Sequence, residues 1–436
     1  MRLNAFLAAS LLVSPAVAAA QALDTAATPI TLREAIQLAQ KNSLTTVQAR
    51  GTIRTSRAAV KQAYSAFLPS FSVSAGTQRQ SGDRFDTQGN LVPFTGNPTN
   101  YSTGLQSSLQ LFDGGRRFFD VRRSKAEEDA AEFGETASQF NVALQVKQQY
   151  YNILAARESQ SAAEAQIEQA KQQLRASSLR LRAGAATVSD SLRSVVALGN
   201  ARLAQLTARN NLQLANATLT RLVASPRTVT ATASDTIDAQ VVIPDAAQLA
   251  PLVDNAPAIQ QSSAQLAAAH ASVRSAKTSF LPTVNMNFNR SGSGLDPQFG
   301  IGDKRYAYNQ NLSFSLNFPL FNNLNREVNV ARAIVAEDIA QVALRDAKFL
   351  ARQTLVQSLG QMRTAQEQVA IQANSVVAAT EDLRVQQRRY ELGATTLLDL
   401  LTSQAQLDNA RTALIRARYD YRVAKAQLEA LIGRDL

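Results

Sequence analysis

Arg389-Tyr390-Glu391-Leu392-Gly393-Ala394-Thr395-Thr396-Leu397-Leu398-Asp399-Leu400-Leu401 and, 209 positions earlier, Arg180-Leu181-Arg182-Ala183-Gly184-Ala185-Ala186-Thr187-Val188-Ser189-Asp190-Ser191-Leu192 are two copies of one pattern. In each, a long stretch suited to helix runs into a glycine, small residues follow, an Asp stands six positions after the Gly, and a second helical stretch begins. Glycine takes the left-handed backbone that ends a helix, and an acidic residue in the first turn of the next helix meets its unpaired N–H groups. Each copy reads as the tip of a helical hairpin, and two such tips suggest a duplicated chain.

Outward from the tips the arms are long. From Arg116 to Arg182 no Pro intervenes and Gly134 is the only Gly, which predicts roughly 100 Å of helix at 1.5 Å per residue. After the second tip Leu400, Leu407, Leu414, Tyr421 and Leu428 recur every seven residues, with Ser403, Ala410, Ala417, Ala424 and Leu431 three positions after each. Large and small residues on one seam are what closely interdigitated helices need. The first copy keeps the small positions as Ser194, Ala201, Ala208 and Ala215 but places Ser191 and Gln205 at two of the large ones.

Before each long arm the period changes. A helix is expected from the capping-box sequence Thr31-Leu32-Arg33-Glu34 to Phe67, ended by Leu68-Pro69, because Pro disfavours helical geometry in the residue before it. Phe71, Val73 and Ala75 then alternate with Ser72, Ser74 and Gly76, and after a turn-rich stretch Leu105, Leu109 and Leu111 alternate with Gln106, Ser108 and Gln110. This is a strand pair at about 70–112. Phe112-Asp113-Gly114-Gly115-Arg116 turns the corner into the long helix, with Asp113 as its cap. At an offset of 213 Phe67, Leu68 and Pro69 reappear as Phe280, Leu281 and Pro282; beyond the strands the offset is 209, so Phe112 matches Phe321. The second strand pair, about 283–318, alternates Val284, Met286 and Phe288 with asparagines, and Leu312, Phe314, Leu316 and Phe318 with Ser313, Ser315 and Asn317.

The organisation expected is a signal peptide at 1–22, a first repeat at 23–222, a connector at 223–245 with room for one short strand, and a second repeat at 246–436. The leader rests on Met1-Arg2-Leu3-Asn4, the apolar run Ala5–Ala19 and the cleavage site Ala20-Gln21-Ala22. No later segment approaches 18 consecutive apolar residues, which argues against a transmembrane helix and leaves strands as the way into a membrane.

Composition sets limits. With no Cys in the chain, disulfides, thiolate metal sites and a lipidated cysteine are excluded. The net charge of +11 comes from charges of both signs scattered along helices, which describes a solvated surface and not a nucleic-acid groove. His270, the only His, stands in an Ala-rich stretch with no acid-base partner near it in sequence and reads as structural. No HExxH, GxSxG or P-loop pattern occurs, so neither an enzyme nor a cofactor is expected.

The duplicated order of helix, Leu-Pro strand pair, Phe corner, long helix, Gly tip and helix resembles the TolC family of outer-membrane efflux channels. The resemblance runs through Leu68-Pro69, Leu281-Pro282, Phe112-Asp113-Gly114-Gly115-Arg116, Tyr390-Glu391-Leu392-Gly393, Leu397-Leu398-Asp399-Leu400-Leu401 and Leu431-Ile432-Gly433. It implies a mainly α protein with a small β part: long helical hairpins forming an α-barrel, and four strands per protomer joining those of two other copies in a twelve-stranded transmembrane β-barrel. It further implies a homotrimer in the outer membrane of a Gram-negative bacterium, embedded in its lipid. The duct would serve efflux or type I secretion, reached by a periplasmic adaptor and an inner-membrane transporter. The strand-helix corners are Pro69, Pro282, Gly114 and Gly115. The family's periplasmic gate falls on Tyr390 and Asp399, with Asp190 the matching acid in the first copy; its second acidic position is Thr402 here, and a position that can carry a basic lock residue is Thr395. The adaptor would dock on the tips, at Leu181, Arg182, Gly184, Leu392 and Gly393. From the residues themselves Asp399 reads as a helix-capping acid as readily as a gate, and Asp190 more readily as a cap. An exported coiled-coil envelope protein is the alternative, and it does not predict the strands.

Overall fold

The computed structural model describes residues 27–79, 82–93, 99–232, 245–295 and 306–434. The expected signal peptide and most of the connector lie outside the described residues. In chain order the elements are β1 (Thr28–Ile30), α1 (Leu32–Asn42), α2 (Leu44–Ser65), β2 (Ser70–Arg79), β3 (Asp83–Phe85), β4 (Leu91–Pro93), β5 (Thr99–Phe112), α3 (Arg116–Arg182), α4 (Val188–Val223), β6 (Val229–Ala231), α5 (Ala246–Asp254), α6 (Pro257–Lys277), β7 (Thr283–Leu295), β8 (Tyr306–Asn317), α7 (Asn325–Glu391) and α8 (Leu397–Ile432). The duplication is visible in the lengths: α3 and α7 are both 67 residues, α4 and α8 both 36.

Three expectations are corrected. The helix read from Thr31 to Phe67 breaks at Ser43, whose side chain accepts from Thr46 N and so starts α2 afresh; the capping box at its head is present, with Thr31 N donating to Glu34 Oε2 at 2.9 Å. The segment ahead of Thr31, where no element is expected, ends in β1, which pairs in parallel with β6, the connector's short strand. The long loop of the first strand pair contains a small antiparallel hairpin, β3 with β4.

Packing divides the described residues into two compact units, those within 1–35 and 149–236 and those within 36–148 and 237–436. In the first, strands of three residues have too few ladder bonds to persist alone. A side-chain clasp holds them. The fully buried Tyr150 hydroxyl donates to Ile30 O at 3.2 Å and accepts from Thr232 N at 3.1 Å, while Arg157 Nη2 reaches Ala231 O at 2.6 Å and Thr230 Oγ1 at 2.9 Å. Along the hairpin, Ile167 and Ala170 of α3 bury against Leu198 and Ala201 of α4.

In the second unit α7 is the spine. Leu355, Leu359 and Met362 pack with Leu249 and Val253 of α5, Ile259 of α6, and Ala424, Leu428 and Ile432 of α8. Leu400, Ser403, Leu407, Ala417, Ala424 and Leu428 are all buried, so the seam read from the heptad is the packed face. Across α2 and α3, Arg50 pairs with Glu135 at 3.3 Å and Arg57 with Glu128 and Glu132 at 3.1 and 2.8 Å. His270 is not without an acidic partner: its Nδ1 meets Glu337 Oε1 of α7. The register of α6 on α7 makes that pair, and sequence proximity does not contain it.

Candidate functional site: a two-faced sheet, its corners and the helical tips

The second unit carries one four-stranded antiparallel sheet in the order β2-β5-β7-β8. Its register sorts the side chains into two faces. One face is built from the rows Phe112/Val284/Leu316, Leu109/Met286/Phe314, Phe71/Ser107/Phe288/Leu312 and Val73/Leu105/Arg290/Gln310, followed by Ala75/Thr103/Gly292/Tyr308 and Thr77/Tyr101/Gly294/Tyr306. The other runs Gln110/Asn285/Ser315, Ser70/Ser108/Asn287/Ser313, Ser72/Gln106/Asn289/Asn311 and Ser74/Gly104/Ser291/Asn309, which is Ser, Asn, Gln and Gly without a charge. The apolar face is bare: Val73 is 82%, Leu316 70% and Phe314 63% exposed. Rows two residues apart are about 6.8 Å apart along a strand, so the rows from Phe112 to Tyr101 rise about 26 Å at a barrel-like tilt, the height of a lipid-facing band. Among the described residues no helix is long and apolar enough to cross a membrane, and this face is the one built to meet hydrocarbon.

Two corners join the sheet to the long helices. At the first, Gly114 and Gly115 take φ of 68° and 87°; a Cβ on Gly114 would lie 2.8 Å from Leu281 Cβ and 3.0 Å from Thr278 O. Asp113 is the expected cap. Its carboxylate accepts from Gly115 N and Arg117 N at 3.0 Å each and from Arg117 Nε at 2.9 Å, and the Arg117 guanidinium lies 4.8 Å from the Phe67 ring centroid while donating to Ala66 O and Leu111 O. At the second corner Arg326 repeats this, 4.8 Å from the Phe280 ring and donating to Pro319 O and Leu320 O. There Asn322 takes the place of the acid, and Asn323 and Leu324 occupy the two glycine positions with φ of 56° and 60°. Arg326 Nε and Asn322 Oδ1 are buried with no hydrogen-bond partner among the described residues. Pro69 and Pro282 stand directly before β2 and β7. The arginine–phenylalanine pairs were not read from the sequence, although the offsets 213 and 209 map Phe67 onto Phe280 and Arg117 onto Arg326.

The tips are alike in backbone. Ala185 N donates to Arg180 O and Ala394 N to Arg389 O, both at 2.8 Å, around Gly184 and Gly393 with φ of 69° and 71°; this is the six-to-one closure of a helix C-terminus. Each following helix opens with a complete capping box, Thr187 with Asp190 and Thr396 with Asp399. Asp399 Oδ2 accepts from Thr396 N, Thr396 Oγ1 and Thr395 Oγ1 at 3.0, 2.6 and 2.8 Å. The Thr396 hydroxyl, its N–H and the Thr395 hydroxyl hold this carboxyl below the ordinary range, and the Thr187 hydroxyl and N–H do so for Asp190. Thr402 donates to Leu398 O of its own helix. Tyr390 packs with Leu383, Leu397 and Leu400, whereas Leu392 is 76% exposed. Arg182 and Leu181 sit where the second tip has Glu391 and Tyr390, so the first tip is the more basic.

The sequence matches the family described as outer membrane efflux protein over residues 35–225 and 251–434. Over 443 residues it is 25% identical to the outer membrane efflux protein BepC of Brucella suis biovar 1 (strain 1330), covering 100% of this chain and 92% of that one. It is 25% identical over 401 residues to the pyoverdine export outer membrane protein OpmQ of Pseudomonas aeruginosa, covering 91% and 82% of the two. Its fold superposes on crystallised CusC with a TM-score of 0.81 at 19% identity over 94% of each chain.

Proposed function

The chain belongs to the outer membrane efflux protein family, and we propose that three copies of it close one exit duct fed by a periplasmic adaptor and an inner-membrane transporter. It is an outer-membrane channel protein whose long helices form the periplasmic part. The observation that carries the trimer is the sheet: an apolar face, an uncharged polar face, and two outer strands, β2 and β8, with no neighbour on one side among the described residues. Because β2 and β8 run in opposite directions, β8 of one copy meets β2 of the next antiparallel, and the ring closes without an edge. Two copies would give eight strands, a barrel whose interior side chains nearly fill; three give twelve, and the Ser/Asn/Gln face then lines a wet lumen.

The tips take the roles the resemblance assigns. The exposed Arg182, Gly184, Leu392 and Gly393, with the half-buried Leu181 beside them, form the surface offered to the adaptor. Asp399 serves as cap and gate together: Oδ2 is held by the threonines, and Oδ1, which has no hydrogen-bond partner among the described residues, faces the axis beside those of two other copies. Asp190 caps the first tip, Tyr390 supports the second from its packed position, and Thr402 adds no charge to the ring.

Detergent-purified protein should have the mass of three chains and open discrete channels in a planar bilayer; a silent monomer would overturn the reading. Asp399→Asn should weaken block by a multivalent cation about tenfold, since three carboxylates leave one constriction. Unchanged block would reduce Asp399 to a cap.

A further inference from the structure

Among the described residues of the four-stranded sheet, only Arg79 and Arg290 carry charge. Arg79 is the last residue of β2, but Arg290 interrupts the apolar face, in one row with Val73, Leu105 and Gln310. Its side chain is exposed, and among the described residues no carboxylate pairs with it. The guanidinium lies 4.9 Å from the centroid of Tyr308, which belongs to the next row toward the loop end of the strands. That ring is itself fixed. Tyr308 lies 5.1 Å from Tyr306, whose hydroxyl bonds Thr103 Oγ1 at 2.6 Å and Gly292 O at 3.1 Å, and whose ring covers Gly294, where a Cβ would come within 2.6 Å of it.

An arginine on a lipid-facing strand is most costly at the bilayer midplane and nearly free at the interface, so long side chains reach for the headgroups. Here the side chain reaches toward the loop end onto an aromatic platform one row further out and one row inside the outer edge of the band, with N–H donors in a fork that suits a phosphate. We propose that Arg290, braced on Tyr308, binds the phosphate of a lipid headgroup in the outward-facing leaflet, an inference that rests on the outer-membrane reading of the sheet. The continuous apolar rows below it accept acyl chains, which a soluble anion lacks, and the unpaired cation supplies the charge complement.

The test is native mass spectrometry of the detergent-solubilised protein titrated with diphosphoryl lipid A and with its dephosphorylated form, with oligomer mass and single-channel conductance recorded on the same samples. Arg290→Gln should weaken binding of the phosphorylated lipid about tenfold, as expected when a charge-assisted bidentate contact is lost, and Arg290→Lys should recover part of it. The dephosphorylated lipid should bind weakly to every form. Equal binding of both lipids, undiminished binding by Arg290→Gln, or displacement by millimolar inorganic phosphate overturns the lipid site while mass and conductance stay intact. Loss of the oligomer and of conductance in the unmutated protein overturns the channel reading instead.

Discussion

The two strand-to-helix corners have the same backbone path and different chemistry. Asp113-Gly114-Gly115 meets its geometry with a buried carboxylate and two residues free to take positive φ, whereas Asn322-Asn323-Leu324 follows the same path with an amide and two side chains. What both copies keep is an arginine laid on a phenylalanine and bonded to a carbonyl at or just past the end of the strand. The fold at this point therefore depends on the arginine tying strand, Leu-Pro turn and helix together; the acid and the glycines make that tie cheaper. A left-handed leucine costs roughly 1 kcal/mol, and each unpaired buried polar atom about as much or more.

The largest effect should come from carrying the second corner's chemistry into the first. Asp113→Asn leaves the mostly buried Arg117 without its carboxylate and should destabilise the protein by about 3 kcal/mol in denaturant unfolding; a loss under 1 kcal/mol would mean the acid is dispensable in both corners. Next, Gly114→Ala forces a Cβ against Leu281 and Thr278 O at positive φ, and should cost about 2 kcal/mol by the same measurement. In the opposite direction Asn322→Asp offers Arg326 Nε the acceptor it lacks and should stabilise by about 1 kcal/mol, read as a raised thermal midpoint. The smallest effect lies at the tips, where both copies keep the acid. Their carboxyls are held below the ordinary range, so the caps stabilise fully above about pH 4 and lose that contribution as pH falls through the folded value. Amide exchange, corrected for its intrinsic pH dependence, should show the Thr187–Asp190 turn loosening before Thr396–Asp399, because the second tip has the extra Thr395 hydroxyl.

Much of this was legible because it is periodic or punctuated. Alternation between Phe71 and Val73, or Val284 and Met286, gave the faces of the sheet; Gly184 and Gly393 marked the helix ends; Asp190 and Asp399 stood where a capping box needs them. What stayed hidden was short or distant. Thr28–Ile30 and Val229–Ala231 are too brief to show a period, and they persist through Tyr150 and Arg157, which stand 82 and 74 positions or fewer from the strand groups they bond on the β6 side. Glu337 meets His270 only once α6 is laid on α7. Ser43 ends a helical pattern by capping the next one, a role its neighbours do not announce. Arg290 follows the apolar phase of Val284, Met286 and Phe288, but only the register sets it beside Val73, Leu105 and Gln310.

The bare edges of β2 and β8 tie this protein's stability to how much of it is present. A solitary subunit holds out two rows of unmatched N–H and C=O groups beside exposed Phe and Leu, and anything extended can zip onto them. In the proposed trimer, joining two partners is then a late step of folding itself, governed by mass action: melting points should climb with protein concentration, and dilution alone should loosen the strands. A cell that makes the chain faster than it can be inserted and matched would accumulate templates for aggregation, so the rate of supply becomes part of what keeps it folded.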